Sequence, residues 1–124
     1  MKILVTGAGG PAGICVIKDL IKRHEIIATD IDWLSSGLYL VKNYYLVPRV
    51  DDENFIKQML DITKKENVSV IVPTVNEEMI RFSENLDIFE KENISVIVSN
   101  KKVIEIATNK LSTYRFFEKE IYCP

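Results

Sequence analysis

Five short apolar runs recur along the chain, and each is followed by a stretch in which apolar residues return at helical spacing. Ile3-Leu4-Val5 opens the series. Three consecutive apolar residues read as a strand covered on both faces of a parallel sheet, and the run ends in a glycine loop, VTGAGGPAG, from Val5 to Gly13. The helix after it starts near Pro11, whose fixed φ suits a first-turn position, and carries Ile14, Ile17, Leu20 and Ile21 on one face. A second strand, Glu25 to Thr29, leads to Asp30. Leu34 to Val41 reads as helical in spite of Gly37, and Tyr44 to Val47 makes a third strand stopped by Pro48. Asp51-Asp52-Glu53 places carboxylates at the head of a helix, where they complement its dipole without needing a metal, and Ile56, Met59, Leu60 and Thr63 face inward. Val68 to Val72 is the fourth strand, ending at Pro73-Thr74. Met79, Phe82, Leu86 and Phe89 then form the core stripe of one helix, and Ile94 to Val98 is the fifth strand. Two short helices, Lys101 to Ala107 and Lys110 to Lys119, each follow an asparagine suited to cap them, Asn100 and Asn109. Ile121-Tyr122-Cys123-Pro124 reads as the opening of a further strand.

Nearly all-apolar strands alternating with helices predict an α/β fold with right-handed crossovers. The expected architecture is a Rossmann-like doubly wound parallel sheet of about five strands in the order 3-2-1-4-5. A chain of 124 residues is long enough to bury roughly 65% of its unfolded surface around one core. The net charge of -2 provides no cationic field for nucleic acid or anionic lipid, so neither is expected as a partner. No apolar stretch has the length of a signal core or a membrane span, which points to a cytoplasmic protein. Cys15 and Cys123 have neither metal-ligand nor redox-pair spacing and read as plain thiols.

The glycine loop has two readings. Gly7, Gly9 and Ala12 satisfy the dinucleotide pattern G-x-G-x-x-G/A, while Thr6-Gly7, Gly10 and Gly13 satisfy T-G-x-x-G-x-x-G. In either register one glycine permits a tight turn, a second lets backbone approach a phosphate, and a third lets the helix pack on the strand. The first and third needs are also those of a bare strand-to-helix turn, and Pro11 removes one N–H that a pyrophosphate would use. Asp30 stands where a ribose-binding carboxylate would be, a place that equally suits a loop-capping aspartate. No tyrosine is followed four residues later by lysine, as a short-chain reductase requires, and Gly13 leads into Ile14-Cys15 where a Walker loop needs Lys and Ser or Thr. His24, the lone histidine, reads as a surface turn residue and supports neither a triad nor a zinc site.

Three stretches taken together carry a resemblance: MKILVTGAGGPAG followed by ATDID, YYLVPR with VIVPTVNEE, and ATNKLSTYRFFEKEIYCP. In this order and spacing the chain resembles, over essentially its whole length, the amino-terminal domain of ATP-grasp ligases, specifically the group similar to the carbamoyl phosphate synthase large chain. Such ligases activate a carboxylate as an acyl phosphate and capture it with an amine or other nucleophile.

The resemblance implies that Gly9, Gly10, Thr74, Asn76, Glu77 and Glu78 face a carboxylate or amine substrate, with a glutamate able to pair with a substrate ammonium. A first-turn role at the helix dipole is the competing reading of Glu77 and Glu78. It also implies that Lys110 lies near ATP phosphates, with an exposed lysine beside a cap as its alternative. Residues 1–107 would be the pre-ATP-grasp domain and 108–124 the start of the following ATP-grasp domain. The complete protein would use ATP and Mg, and this stretch alone would bind neither tightly nor turn anything over. Two other readings stay open. One is a small NAD(P)- or nucleotide-binding module using Gly7, Gly13 and Asp30; the other is a subunit that meets a separate ATP-grasp chain in trans. Apolar surface at such a junction makes homo-oligomer formation an expectation as well.

Overall fold

The computed structural model describes residues 1–118 and 120. Its elements are β1 (Lys2–Val5), α1 (Pro11–Leu20), β2 (Glu25–Asp30), a 3₁₀ helix (Ser36–Leu40), β3 (Asn43–Leu46) and α2 (Phe55–Glu66). They continue with β4 (Val70–Val72), α3 (Asn76–Ser83), α4 (Leu86–Glu90), β5 (Ser95–Val96), α5 (Lys101–Thr108) and α6 (Lys110–Phe117). The five strands are all parallel in the order β3-β2-β1-β4-β5, as the alternation predicts. No described helix is long and apolar enough to cross a membrane.

Strand alternation divides the core between the two faces of the sheet. Leu4, Ile27 and Ile71 point to one face and pack with Phe55, Met59, Phe82 and Phe89 from α2, α3 and α4. Ile3, Val5, Ile26 and Ala28 point to the other, where they meet Ile17 of α1 and Leu38 of the 3₁₀ helix. Both faces of β1 are therefore buried, which is why it reads as an unbroken apolar run. At the amino-terminal end of the sheet, Glu66 accepts hydrogen bonds from the Tyr45 hydroxyl and, at 3.2 Å, from Asn43 Nδ2. That contact ties the end of α2 to the edge strand.

Four expectations are corrected. The segment Leu34 to Val41 narrows to a 3₁₀ helix because Gly37 is pressed against the first loop: a Cβ on it would lie 1.9 Å from the Ala8 carbonyl oxygen. The single helix carrying Met79 to Phe89 is two, α3 and α4. Near the break the Ser83 hydroxyl donates to the Ile80 carbonyl (2.7 Å) and Asn85 Nδ2 to the Arg81 carbonyl (2.8 Å), side chains taking backbone acceptors as the helix ends. Asp51-Asp52-Glu53 precedes α2 and does not form its first turn; Asp52 Oδ1 instead accepts from the Asn54 N–H at 2.8 Å. The expected strand Ile94 to Val98 pairs only over Ser95–Val96. The asparagine caps are present: Asn100 Oδ1 accepts from Val103 N–H (3.1 Å) and Asn109 Oδ1 from Ser112 N–H (3.0 Å). Lys119 and the expected strand opening Ile121 to Pro124 lie outside the described residues.

Phe82 is fully buried between Phe55 and Phe89, with ring centroids 5.7 and 5.5 Å away, and so bridges α2, α3 and α4. Phe82→Ala is expected to cost about 3–5 kcal/mol in a urea titration, whereas a loss below about 1 kcal/mol would show that these helices do not depend on this trio.

Candidate functional site

The connection direction reverses at β1, whose neighbours are β2 and β4, and it is beside such a reversal that a doubly wound sheet opens a crevice at its carboxyl edge. Two loops form the opening here. Val5 leads into the glycine loop, where Gly7 turns the chain at φ +58°, and Val72 leads through Pro73-Thr74 into α3. The loops are tied to each other: the Thr74 hydroxyl donates to the Thr6 carbonyl (2.7 Å), and the Thr74 N–H donates to the Thr6 hydroxyl (3.3 Å). Between them lies a cleft of about 450 Å³.

Gly7, Gly10, Asp30, Thr74, Glu77 and Glu78 line this cleft. Gly10 presents bare backbone to it, since a Cβ there would meet only the Gly7 carbonyl oxygen at 3.5 Å. Gly13 lies behind the loop in α1, where a Cβ would come within 2.3 Å of that same oxygen. Gly9, Asn76 and Lys110 are not among the lining residues; Lys110 is exposed at the start of α6. The structure adds Arg49 and Val50 after β3. Arg49 ends the YYLVPR stretch and pairs with Asp51 (Nε to Oδ1, 3.5 Å), but nothing local in the sequence brings it to the cleft that Glu78 lines.

Glu78 is the unusual group. Only 6% of it is exposed, and its Oε2 is buried with no hydrogen-bond partner. Burial pushes its carboxyl up to about 6; the Thr6 side chain opposes this by a hydrogen bond, and the nearby Asp30 and Glu77 charges add to it. A buried carboxylate with a free oxygen at a cleft wall is arranged to receive a donor, and a positively charged donor above all.

The loop fits a pyrophosphate poorly. Thr6 N–H donates to the Val72 carbonyl (3.2 Å), Ala8 N–H to the Thr29 carbonyl (3.1 Å) and Gly10 N–H to the Gly7 carbonyl (3.1 Å), while Pro11 has no N–H. Gly9 N–H donates to Asp30 Oδ2 at 2.7 Å. Asp30 Oδ1 accepts from Ile31 N–H (2.8 Å) and Asp32 N–H (3.3 Å), so this carboxylate holds the loop's own backbone where a ribose-binding residue would turn outward. Among the described residues no group of three or more His, Cys, Asp or Glu side chains is placed to hold a metal ion.

Two outcomes test this geometry. Gly13→Ala is expected to destabilise the fold by about 1–3 kcal/mol through overpacking, and Gly10→Ala to stay within about 0.5 kcal/mol of the parent; equal effects in thermal unfolding would refute the assignment of these two glycines. The Glu78 carboxyl rises from 4.5 to about 6 on folding, so its protonated form favours the fold below about pH 4.5. That contribution is lost as pH rises through about 6, a difference of about 2 kcal/mol. Glu78→Gln, which never ionises, should match the parent in acid and exceed it by about 2 kcal/mol at neutral pH. Urea titrations across pH check this, and a gap independent of pH would contradict it.

Residues 3–97 match the model of the family described as PylC-like, N-terminal domain. No curated protein matches the chain significantly. Among solved structures it resembles the biotin carboxylase domain dimer of Hydrogenobacter thermophilus 2-oxoglutarate carboxylase in complex with Mg-ADP, ADP and bicarbonate (TM-score 0.66, 16% identity, 95% of this chain and 27% of that one). N5-carboxyaminoimidazole synthetase from Staphylococcus aureus complexed with ADP is similar (TM-score 0.69, 14% identity, 95% and 29%). So is glycinamide-RNase-transformylase T from Mycobacterium tuberculosis (TM-score 0.65, 11% identity, 98% and 35%). The chain thus spans about a third or less of the length of these structures. With most of its length inside the family match and this fold around it, the chain belongs to the PylC-like N-terminal domain family, whose fold is that of the amino-terminal domains of ATP-grasp enzymes.

Proposed function

We propose that the chain forms the substrate-facing wall of an ATP-dependent carboxylate–amine ligase of the cytoplasm, with the kinship to carbamoyl phosphate synthase that its motifs suggest. The observation that carries this reading is the buried Glu78 carboxylate with an unpartnered oxygen at the cleft between β1 and β4. In the complete enzyme ATP, with Mg, would phosphorylate a carboxylate; the amine then displaces phosphate from the acyl phosphate to give an amide. In this proposal the following domain supplies the sites for both, because the loop N–H groups of Thr6, Ala8, Gly9 and Gly10 are already engaged.

The part left to this chain is to hold the amine. Glu78 and Glu77 pair with its ammonium, Thr74 helps to fix the loop beside it, and the bare backbone at Gly10 admits it closely. Residues 108–124, including Lys110, begin the following domain in this proposal, whether that domain is joined in cis or supplied in trans. The nucleotide-module alternative finds no support in a loop where the N–H groups of Thr6, Ala8, Gly9 and Gly10 are already engaged by carbonyls or by Asp30.

Titration of the 124-residue chain followed by calorimetry and amide NMR tests the proposal. NADH, NADPH and ATP should show no micromolar binding, and n-propylamine at millimolar concentration should shift the Gly10, Thr74, Glu77 and Glu78 amides. Micromolar binding of NADH would overturn the proposal, as would an amine response spread over residues far from the cleft.

A further inference from the structure

Glu78 and Arg81 sit three residues apart on α3, a spacing at which opposite charges ordinarily meet. They do not meet here. Among the described residues, no carboxylate forms an ion pair with the Arg81 guanidinium. Its Nε is buried without a hydrogen-bond partner, the same condition as Glu78 Oε2. One helix thus carries an orphaned donor and an orphaned acceptor of opposite charge a single turn apart.

Each faces its own space. Glu78 lines the first cleft and not its neighbour; Arg81 lines a second cavity of about 280 Å³ and not the first. The two cavities share Val50 and Glu77 as a common wall. Of the carboxylates lining the second cavity, Asp51 pairs with Arg49 at 3.5 Å and Glu84 with Lys101 at 2.7 Å, while Glu77, exposed on the shared wall, forms no ion pair among the described residues. Arg81 acts on Glu84 only as a minor, longer-range influence. Leaving one buried polar atom unpaired is costly, and two such atoms of complementary charge beside adjacent cavities with a common wall are both satisfied by a ligand that spans that wall.

We infer that the two cavities form one groove for an amine that also bears an anionic group, its ammonium held by Glu78 and its anion by the Arg81 guanidinium. This rests on the reading of the first cleft as an amine site and narrows it from any amine to a zwitterionic one. The anion is a carboxylate or a phosphate, both of which a planar guanidinium can receive through two parallel N–H donors. A plain diamine would set a second cation against Arg81 and is disfavoured.

The test uses the chain labelled with nitrogen-15, reading the Arg81 Nε–H resonance and the cleft amides. The probes are n-propylamine, putrescine, β-alanine and O-phosphoethanolamine. β-Alanine, O-phosphoethanolamine or both should shift the Arg81 Nε–H together with the Glu78 amide and bind at least about tenfold more tightly than n-propylamine; which of the two binds tighter identifies the anion. n-Propylamine should move the Glu78 side of the groove alone, and putrescine should gain nothing from its second charge. Arg81→Gln should remove the zwitterion's advantage and leave n-propylamine unchanged, and the unmodified chain's Arg81 signal keeps the test decisive if that variant folds poorly. Zwitterions that bind no better than n-propylamine, or that leave Arg81 unmoved, would overturn the inference while the amine site stands. If no amine binds, both fall.

Discussion

The hydrogen bond from the Thr74 hydroxyl to the Thr6 carbonyl, 2.7 Å long, holds together the two loops on which the cleft depends. β1 and β4 are paired up to Val5 and Val72, and one further ladder-like bond joins Thr6 N–H to the Val72 carbonyl. Past that point their loops have to diverge to leave a space. Mutual pairing of Thr6 and Thr74 lets them diverge without leaving buried backbone groups unpaired, the usual penalty for opening a parallel sheet at its edge. Gly7 then turns through a left-handed conformation directly against Thr74 and Val75, which leaves no room for a side chain on the inner side of the turn.

Asp30 reinforces the same arrangement from the other side. Its two carboxylate oxygens gather the N–H groups of Gly9, Ile31 and Asp32, so the glycine loop is pinned to the end of β2 as well as to the loop before α3. The pinned loop provides a rigid floor, and Glu78 stands over it in a position that works against stability. A residue kept partly protonated by burial contributes little to the fold that glutamine would not contribute equally well. Strain of this kind, maintained on an otherwise well-packed frame, is what a binding residue looks like in energetic terms.

The strand order was legible because a parallel sheet leaves little choice: each strand must be apolar on both faces, and each crossover must have the length of a helix. The asparagine caps were legible for the same local reason, since Asn100 and Asn109 act on groups three residues away. The details that escaped were set by contacts across the chain. Nothing near Gly37 in sequence announces that Ala8 will press on it. The core stripe from Met79 to Phe89 keeps helical spacing across a real break, because Phe82 and Phe89 still reach one core from two helices. In the site, Glu77 and Glu78 are singled out by the family resemblance, which sets the end of the fourth strand at the substrate cleft. Arg49 and Arg81 are not, since an arginine has meaning here only through the cavity it faces. Asp30 stood where a ligand-binding carboxylate belongs; the direction of its oxygens is a three-dimensional fact.

The position of β1 has a consequence for how the chain is made. As the central strand it pairs on one side with β2, about twenty residues later, and on the other with β4, where Ile3 stands opposite Val70. During synthesis β1 and β2 therefore emerge well before β4, and the edge of β1 that β4 covers waits for about forty residues beyond β2. Contacts so distant in sequence slow folding, and unpaired parallel edges are the surfaces on which nascent chains go astray. The sheet's central strand thus waits longest for its second neighbour, and there a passing chaperone or a neighbouring nascent chain would find it first.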